Sequence, residues 1–509
     1  MLAALLDTAR NALVFLGIYV GIGLLVPPLV RFAAKAPALL PADNPGSERV
    51  RIVEDNEEAL VVRLQMILGA RRRIVVSTFK WTDGPASDDI IAALVGAATR
   101  GVQVRIVADG MGLARRVRMH RRFRYLASLE NVQMKIYYPV SLLLPWRFNY
   151  RMHDKYLIVD DRCLLLGGRN ISCQSLGNYT RNQDIDRDAL VVSVDPVQGR
   201  AMQQLNAYFD RVWRLRACKL VRPHRMSTRV RARVFVQCRL RIAQLVKRYP
   251  VLAQPFDPLV RTVAAQRIDV LSNACEPVNK RPVMWNVQLA SAQKGTDVVI
   301  QTPYIIVGKS VFGKAAHGKA ALAGNPIRSG EGVLCGPAVH HRSVVLLTNA
   351  PEQGANPFGC GEYVNHRGQI AKLGTAVYEW LGGHSMHTKT LLVDDDLSFV
   401  GSFNMDYRSI YLDTELMLCI RSCEVNASLR ARFLQLRQKS RAVAKHAGIT
   451  AHSAADGALA FGLRAARGAL AGGRVRAALV GAAAVVWWWA KRITQRVFGV
   501  VMWPVRYLM

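Results

Sequence analysis

The pattern His-x-Lys-x4-Asp occurs twice in this chain, as His153-x-Lys155-x4-Asp160 and His387-x-Lys389-x4-Asp394. In both copies a glycine follows 14 positions after the histidine (Gly167, Gly401) and an asparagine 17 positions after it (Asn170, Asn404). One match arises by chance in a basic protein. Two matches in one register mark a chain built from two similar halves, each bringing half of one site.

Each copy runs into a short apolar stretch rich in β-branched residues and closed by acids, which predicts a buried strand. A second apolar run follows (163–166 and 397–400), so each half reads as a hairpin ending on small residues that allow close approach to a ligand. On a strand, residues i and i+2 share a face, which sets His153 beside Lys155 and His387 beside Lys389. Neighbouring cations disfavour each other unless an anion lies between them, and a phosphate meets that demand. Neutral histidine is a nucleophile and protonated histidine an acid near neutral pH, so two of them across one phosphate can divide those roles. Two lysines would offset the transition-state charge without a metal ion.

A nucleophilic imidazole needs an acceptor on its other nitrogen. In the second half Glu415 stands at the start of the apolar run 416–420. In the first half Asp188, directly before 189–192, is the positional match, with Asp186 as the alternative.

The duplicated motif resembles the signature of the phospholipase D superfamily. The lead-in from Asp88-Asp89 to Arg105, the stretch Thr302-Pro303-Tyr304 and the run Leu347-Thr348-Asn349 are similar to that family's strands and helices. The tail Gly401-Ser402-Phe403-Asn404-Met405-Asp406-x-Arg408-Ser409-x3-Asp413-x-Glu415 resembles bacterial cardiolipin synthases and related phosphatidyltransferases. The resemblance implies an α/β fold of two similar lobes, each a mixed β-sheet flanked by helices, with the active site at their interface. It implies a covalent phosphohistidine, no metal and no cofactor. Carried onto this chain, His153 is the nucleophile and His387 the general acid/base, with Lys155 and Lys389 beside them. Asn170, Asn404 and Ser402 bind the phosphate, Asp188 and Glu415 orient the histidines, and Asp160 and Asp394 are more structural than chemical. Two departures stand out: Gly168 where the second half has Ser402, and Asp413 where these synthases often have Asn.

The chain has 69 Lys and Arg against 36 Asp and Glu, a net charge of +33. No acid occurs from Arg211 to Arg248, and a second basic cluster runs from 115 to 124. Such patches attract polyanions, bilayer or nucleic acid alike. The ends decide between them. Residues 12–30 form an uncharged run of membrane-spanning length, read as an uncleaved anchor with a cleaved signal peptide as the alternative. The segment 477–490, with Trp487, Trp488 and Trp489, reads as an interfacial helix.

The expected organisation is a membrane anchor at 1–35, a first lobe at 50–210 and a basic connecting segment at 211–265. A second lobe at 266–423 and a helical basic region at 424–509 complete it. Nine scattered cysteines suggest free thiols and, with the charges after the anchor, a cytoplasmic catalytic body at the cell membrane. The expected function is phosphatidyl transfer of the cardiolipin synthase kind, with a phospholipid such as phosphatidylglycerol as substrate, the membrane surface as partner and nucleic acid disfavoured. A hydrolytic phospholipase D is the alternative, and a nuclease stands behind it.

Overall fold

Alternating Val, Ile and Leu side chains build two sheets and hand successive residues to different cores. The computed structural model describes residues 48–443, except 112–119, 142–143, 145–146, 148, 196–198, 223–224, 277–281, 306–342, 355–362, 365–366, 368–369 and 371–375. The expected anchor and the expected interfacial helix lie outside the described residues. No helix among the described residues is long and apolar enough to cross a membrane.

The first sheet holds β1 (Glu48–Val53), β2 (Arg73–Thr78), β3 (Gln103–Asp109), β4 (Val132–Tyr137), β5 (Tyr156–Val159), β6 (Cys163–Gly167), β7 (Asp188–Ser193), β8 (Cys218–Leu220) and β9 (Val263–Ala264). The second holds β10 (Arg267–Ser272), β11 (Asp297–Gln301), β12 (Ser343–Asn349), β13 (Ala376–Trp380), β14 (Thr390–Val393), β15 (Leu397–Gly401), β16 (Leu416–Arg421) and β17 (Ser440–Ala442). The orders are β8-β4-β3-β2-β5-β6-β7-β1-β9 and β17-β13-β12-β11-β14-β15-β16-β10. Apart from the edge strand β9, each strand of the second sheet occupies the place of its counterpart in the first. The duplication read from two short motifs extends to the whole topology.

Helices α1 (Asn56–Gly69), α2 (Pro85–Thr99), α3 (Arg121–Ala127), α4 (Arg200–Arg214), α5 (Thr228–Arg248), α6 (Val283–Lys294), α7 (Tyr407–Tyr411) and α8 (Cys423–Gln438) complete the described elements of eight or fewer turns used below. Ile74 and Val76 of β2 face a core shared with α1, α2, α3 and α5. Val75 between them faces the opposite core, where Ile158, Leu164 and Val191 meet Val299, Leu392, Val400 and Leu418 of the second sheet. The far side of the second sheet, with Ile300 and Phe399, packs on α6. The sheets therefore pack inner face to inner face, with α1, α2, α3, α5 and α6 on their outer faces and α4 and α8 burying side chains in the shared inner core. The β-branched alternation suits this arrangement because each strand has two apolar surfaces to fill.

Two expected boundaries are corrected. The stretch 211–265 is part of the first lobe, because β8 pairs with β4, β9 pairs with β1, and Val234, Cys238 and Leu245 of α5 are buried in its outer core. The second lobe runs past 423, because α8 buries Val425, Leu429 and Phe433 and β17 pairs with β13.

Candidate active site

Both motifs precede their strands. β5 begins at Tyr156 and β14 at Thr390, so the histidines and lysines lie on extended chain just before the hairpins and not within them. That chain is pinned from two sides. At the end of β3, Asp109 accepts a hydrogen bond from the Met152 amide (2.8 Å); at the end of β12, Asn349 does the same for Met386 (2.7 Å). From the other lobe, Thr414 accepts the His153 amide (3.2 Å) and Ile185 accepts that of His387 (2.7 Å).

The same crossing sets the side chains. His153 Nδ1 lies 2.8 Å from Glu415 Oε1, and His387 Nδ1 lies 2.6 Å from Asp186 Oδ2. Each histidine is thus held by an acid of the opposite lobe, and the site exists only when the lobes are together. An acid on Nδ1 leaves Nε2 for chemistry.

Glu415 is where the sequence placed an orienting acid, but its first-lobe counterpart is Asp186 and not Asp188. Strand register explains the correction. The Gly168 amide bonds to Arg187 O and the Ser402 amide to Leu416 O, which makes Asp186 equivalent to Glu415. Asp188 lies two residues further on and is fully buried between two arginines, Arg63 (2.9 Å) and Arg169 (3.2 Å). Asp188→Asn is therefore expected to lower unfolding free energy by about 3–5 kcal/mol in denaturant titration, as for a buried pair stripped of one partner. Asp186→Asn should keep the fold and lower turnover by about 10²–10⁴-fold. Equal stability of the two variants would contradict this division.

Ser402 is also corrected. Its hydroxyl donates to Glu415 Oε2 (2.5 Å) and accepts the Leu416 amide (3.1 Å), so it supports the orienting acid. Ser409, which the sequence reading missed, donates to Glu415 Oε1 (2.6 Å); its own position is set by Asp406, which caps α7 by accepting the Ser409 amide. The Asp-x-x-Ser spacing was the available signal.

Gly168 now has a reason. A Cβ there would lie 2.1 Å from Asp186 Oδ1. Aspartate is one methylene shorter than glutamate, so its carboxylate sits over residue 168 where Glu415 clears Ser402. Gly168→Ser, which copies the second half, is expected to displace Asp186 and cost at least about tenfold in turnover, checked by steady-state rates.

Asn170 and Asn404 occupy equivalent places beside the motifs. Asn170 Oδ1 accepts the Lys80 amide (3.1 Å), and Asn404 Nδ2 lies 3.3 Å from the Tyr304 hydroxyl. Asp160 and Asp394 are structural. Asp160 accepts the amides of Arg71, Arg72 and Arg73, and Asp394 those of Thr296 and Asp297, tying each hairpin turn to the start of β2 or β11. Both adopt positive φ, +54° and +48°, which aspartate tolerates in a turn.

The two halves differ electrostatically. Burial, then Lys155, pushes His153 well below the ordinary imidazole range, with Lys389 and His387 adding to the effect. Burial raises Glu415 to about 8 despite Lys155 and its two serine donors. Burial acts on Asp186 in the same sense, but there His387 and Lys389 outweigh it and hold the carboxyl well below its usual range. The first histidine is therefore neutral, while the second faces an ionised acid. Lys155 and Lys389 are buried, each donating to the carbonyl of its own motif histidine, and burial lowers them to about 7 and about 8. Phe79 closes the His153 side, its ring edge-on at 5.0 Å between centroids and 5.4 Å from Lys155 Nζ. Among the described residues no three His, Cys, Asp or Glu side chains are grouped to hold a metal ion.

Comparison with known proteins matches both lobes. The family model described as "Cardiolipin synthase, PLD-like domain" matches residues 64–213 and 342–437, one segment in each lobe. An uncharacterized protein of Helicobacter pylori is 26% identical, over 73% of this chain and 76% of its own length. Cardiolipin synthase C of Escherichia coli is 23% identical, over 79% of this chain and 87% of its own. Among solved structures, phosphatidylserine synthase of Haemophilus influenzae superposes with a TM-score of 0.52 at 14% identity, covering 79% of this chain and 88% of that one; this likeness concerns the fold.

Proposed function

We propose that this chain, which belongs to the phospholipase D superfamily, transfers a phosphatidyl group through a phosphohistidine and forms a cardiolipin-type product from phosphatidylglycerol. The observation that carries the reading is the pair of imidazoles held by acids of opposite lobes, the first driven neutral by burial and the second facing an ionised acid. Nε2 of neutral His153 attacks phosphorus, and the bond from phosphorus to the headgroup oxygen breaks. His387 gives its Nε2 proton to the leaving alkoxide, so glycerol departs neutral. His387 then takes the proton of an incoming hydroxyl whose oxygen attacks phosphorus, and the bond to His153 breaks. Lys155 and Lys389 offset the negative charge that builds on the phosphoryl oxygens.

The acceptor distinguishes a transferase from a hydrolase. Similarity to cardiolipin synthases favours an alcohol. The membrane supplies that alcohol as a second lipid, and the uncharged run 12–30 suits a membrane-bound enzyme. The test is the full chain in mixed micelles with phosphatidylglycerol, phosphatidylcholine or single-stranded DNA, with products identified. Cardiolipin plus glycerol is the expected result. Phosphatidic acid without cardiolipin would assign water as acceptor, and DNA cleavage without lipid turnover would overturn the reading.

A further inference from the structure

Helix α5 has a solvent face that packing leaves unexplained. Its inner side, Val234, Cys238 and Leu245, is buried in the core that holds α2 and α3. Arg231, Arg241 and Arg248 are engaged with Ser128, Asp89 and Glu57. Arg229, Arg233, Val236, Leu240 and Lys247 remain. Their spacing places all five on one side of a helix. All five are exposed, Val236 at 52% and Leu240 at 59%. The helix contains no acidic residue. An aliphatic pair set among cations on the outer side of a helix is the composition of an interfacial contact, not of a merely solvated face.

We propose that this face of α5 rests on an anionic bilayer, with Val236 and Leu240 entering the boundary between headgroups and acyl chains and Arg229, Arg233 and Lys247 on lipid phosphates. The proposal rests on the phospholipid reading of the site and adds how the first lobe meets that substrate's membrane. Nucleic acid explains the cations equally well, but aliphatic side chains give a polynucleotide nothing to stack on. A bilayer uses both features. The helix also connects to the site. Arg248 lies over the Tyr179 ring (5.0 Å), and Tyr179 and Arg241 meet on Asp89 (2.5 Å each). Tyr179 belongs to the loop that ends on Asp186, the acid behind His387. A bilayer under α5 therefore lies beside the strap that carries a positioning residue.

The test uses the full chain on vesicles of phosphatidylglycerol or of phosphatidylcholine, with amine acylation read by mass spectrometry. Lys247 is expected to react several-fold more slowly on phosphatidylglycerol. Lys439, exposed in the other lobe, should react equally on both. Lys247 no more protected than Lys439 overturns the proposal, as does protection by single-stranded DNA but not by vesicles. In a second arm, Val236→Ser with Leu240→Ser, and Arg229→Gln with Arg233→Gln, should lower turnover of phosphatidylglycerol vesicles about tenfold. Turnover of a monomeric short-chain phosphatidylglycerol should be unchanged. Losses that are equal on both substrates, or absent on both, overturn it. If the unmodified chain does not turn over the monomeric lipid, the phosphatidyl-transfer reading fails, and the Lys247 footprint still decides the docking face.

Discussion

His153→Ala is expected to abolish turnover on every substrate, whereas His387→Ala should lose it in proportion to how badly the leaving group needs a proton. Burial and Lys155 keep His153 neutral, and Glu415, 2.8 Å from Nδ1, leaves Nε2 as the ring nitrogen free for substrate. Removing the nucleophile should cost about 10³-fold or more, to background. His387 supplies a proton and later removes one, a role worth about 10²–10⁴-fold. The glycerol of phosphatidylglycerol leaves as an alkoxide and needs that proton; the nitrophenol of a nitrophenyl phosphodiester leaves as a stabilised phenolate and does not. His387→Ala should therefore recover most of its first-step rate on the nitrophenyl substrate. It should also accumulate phosphoenzyme, because the base for the second step is gone. Denaturing at alkaline pH, which preserves the nitrogen–phosphorus bond, followed by peptide mapping would place the phosphate on the peptide containing His153. Phosphate on the His387 peptide of a His153→Ala protein would reverse the two roles.

The cross-lobe geometry behind that prediction was only partly legible in the sequence. The repeated motif with its glycine and asparagine gave both lobes, because strand and hairpin fix those spacings locally. The orienting acids lie beyond a loop, and there the halves diverge: Asn170 to Asp186 spans 16 positions and Asn404 to Glu415 spans 11. The place directly before the apolar strand then favours Asp188, and only the hydrogen-bonded register of β6 with β7 and of β15 with β16 recovers Asp186. The exchange of acids between lobes leaves no local trace, since a repeat read linearly suggests that each half serves itself. Ser402 was misassigned for a related reason: a hydroxyl next to a phosphate-type loop reads as a ligand until the glutamate behind it is placed. Arg187 shows the same limit. Its guanidinium, buried in the first lobe, bonds Gln301 Oε1 (2.8 Å) and Thr390 Oγ1 (2.7 Å) of the second, although nothing in the sequence pairs these residues.

Replacing Lys389 by methionine should remove activity and make the empty protein more stable. Burial lowers its ammonium from 10.5 to about 8, against the favourable pull of Asp186 and Glu415. A lysine with a depressed folded-state pKa imposes no penalty above its unfolded value. The penalty grows as pH falls from 10.5 towards 8 and is complete below that. At pH 7 the difference amounts to about 3 kcal/mol at 1.36 kcal/mol per unit. Methionine keeps much of the volume and none of the charge, so Lys389→Met is expected to gain about 1–3 kcal/mol at pH 7, with the gain shrinking towards pH 10. Glu415 has the opposite sign: its raised carboxyl favours the fold at low pH, and that contribution is lost as pH rises through about 8. It is present in both proteins, so the difference between their denaturant curves at pH 7 and pH 9.5 reads the lysine together with its coupling to Glu415 and Asp186. A phosphate analogue such as tungstate restores a counter-anion to the ammonium, and it should stabilise the unmodified protein while leaving Lys389→Met unchanged. Loss of stability in Lys389→Met at pH 7 would make this lysine part of the scaffold. A gain would mean that the site holds its cations under strain until a phosphate arrives, which is the condition under which binding energy is directed to the reacting phosphorus.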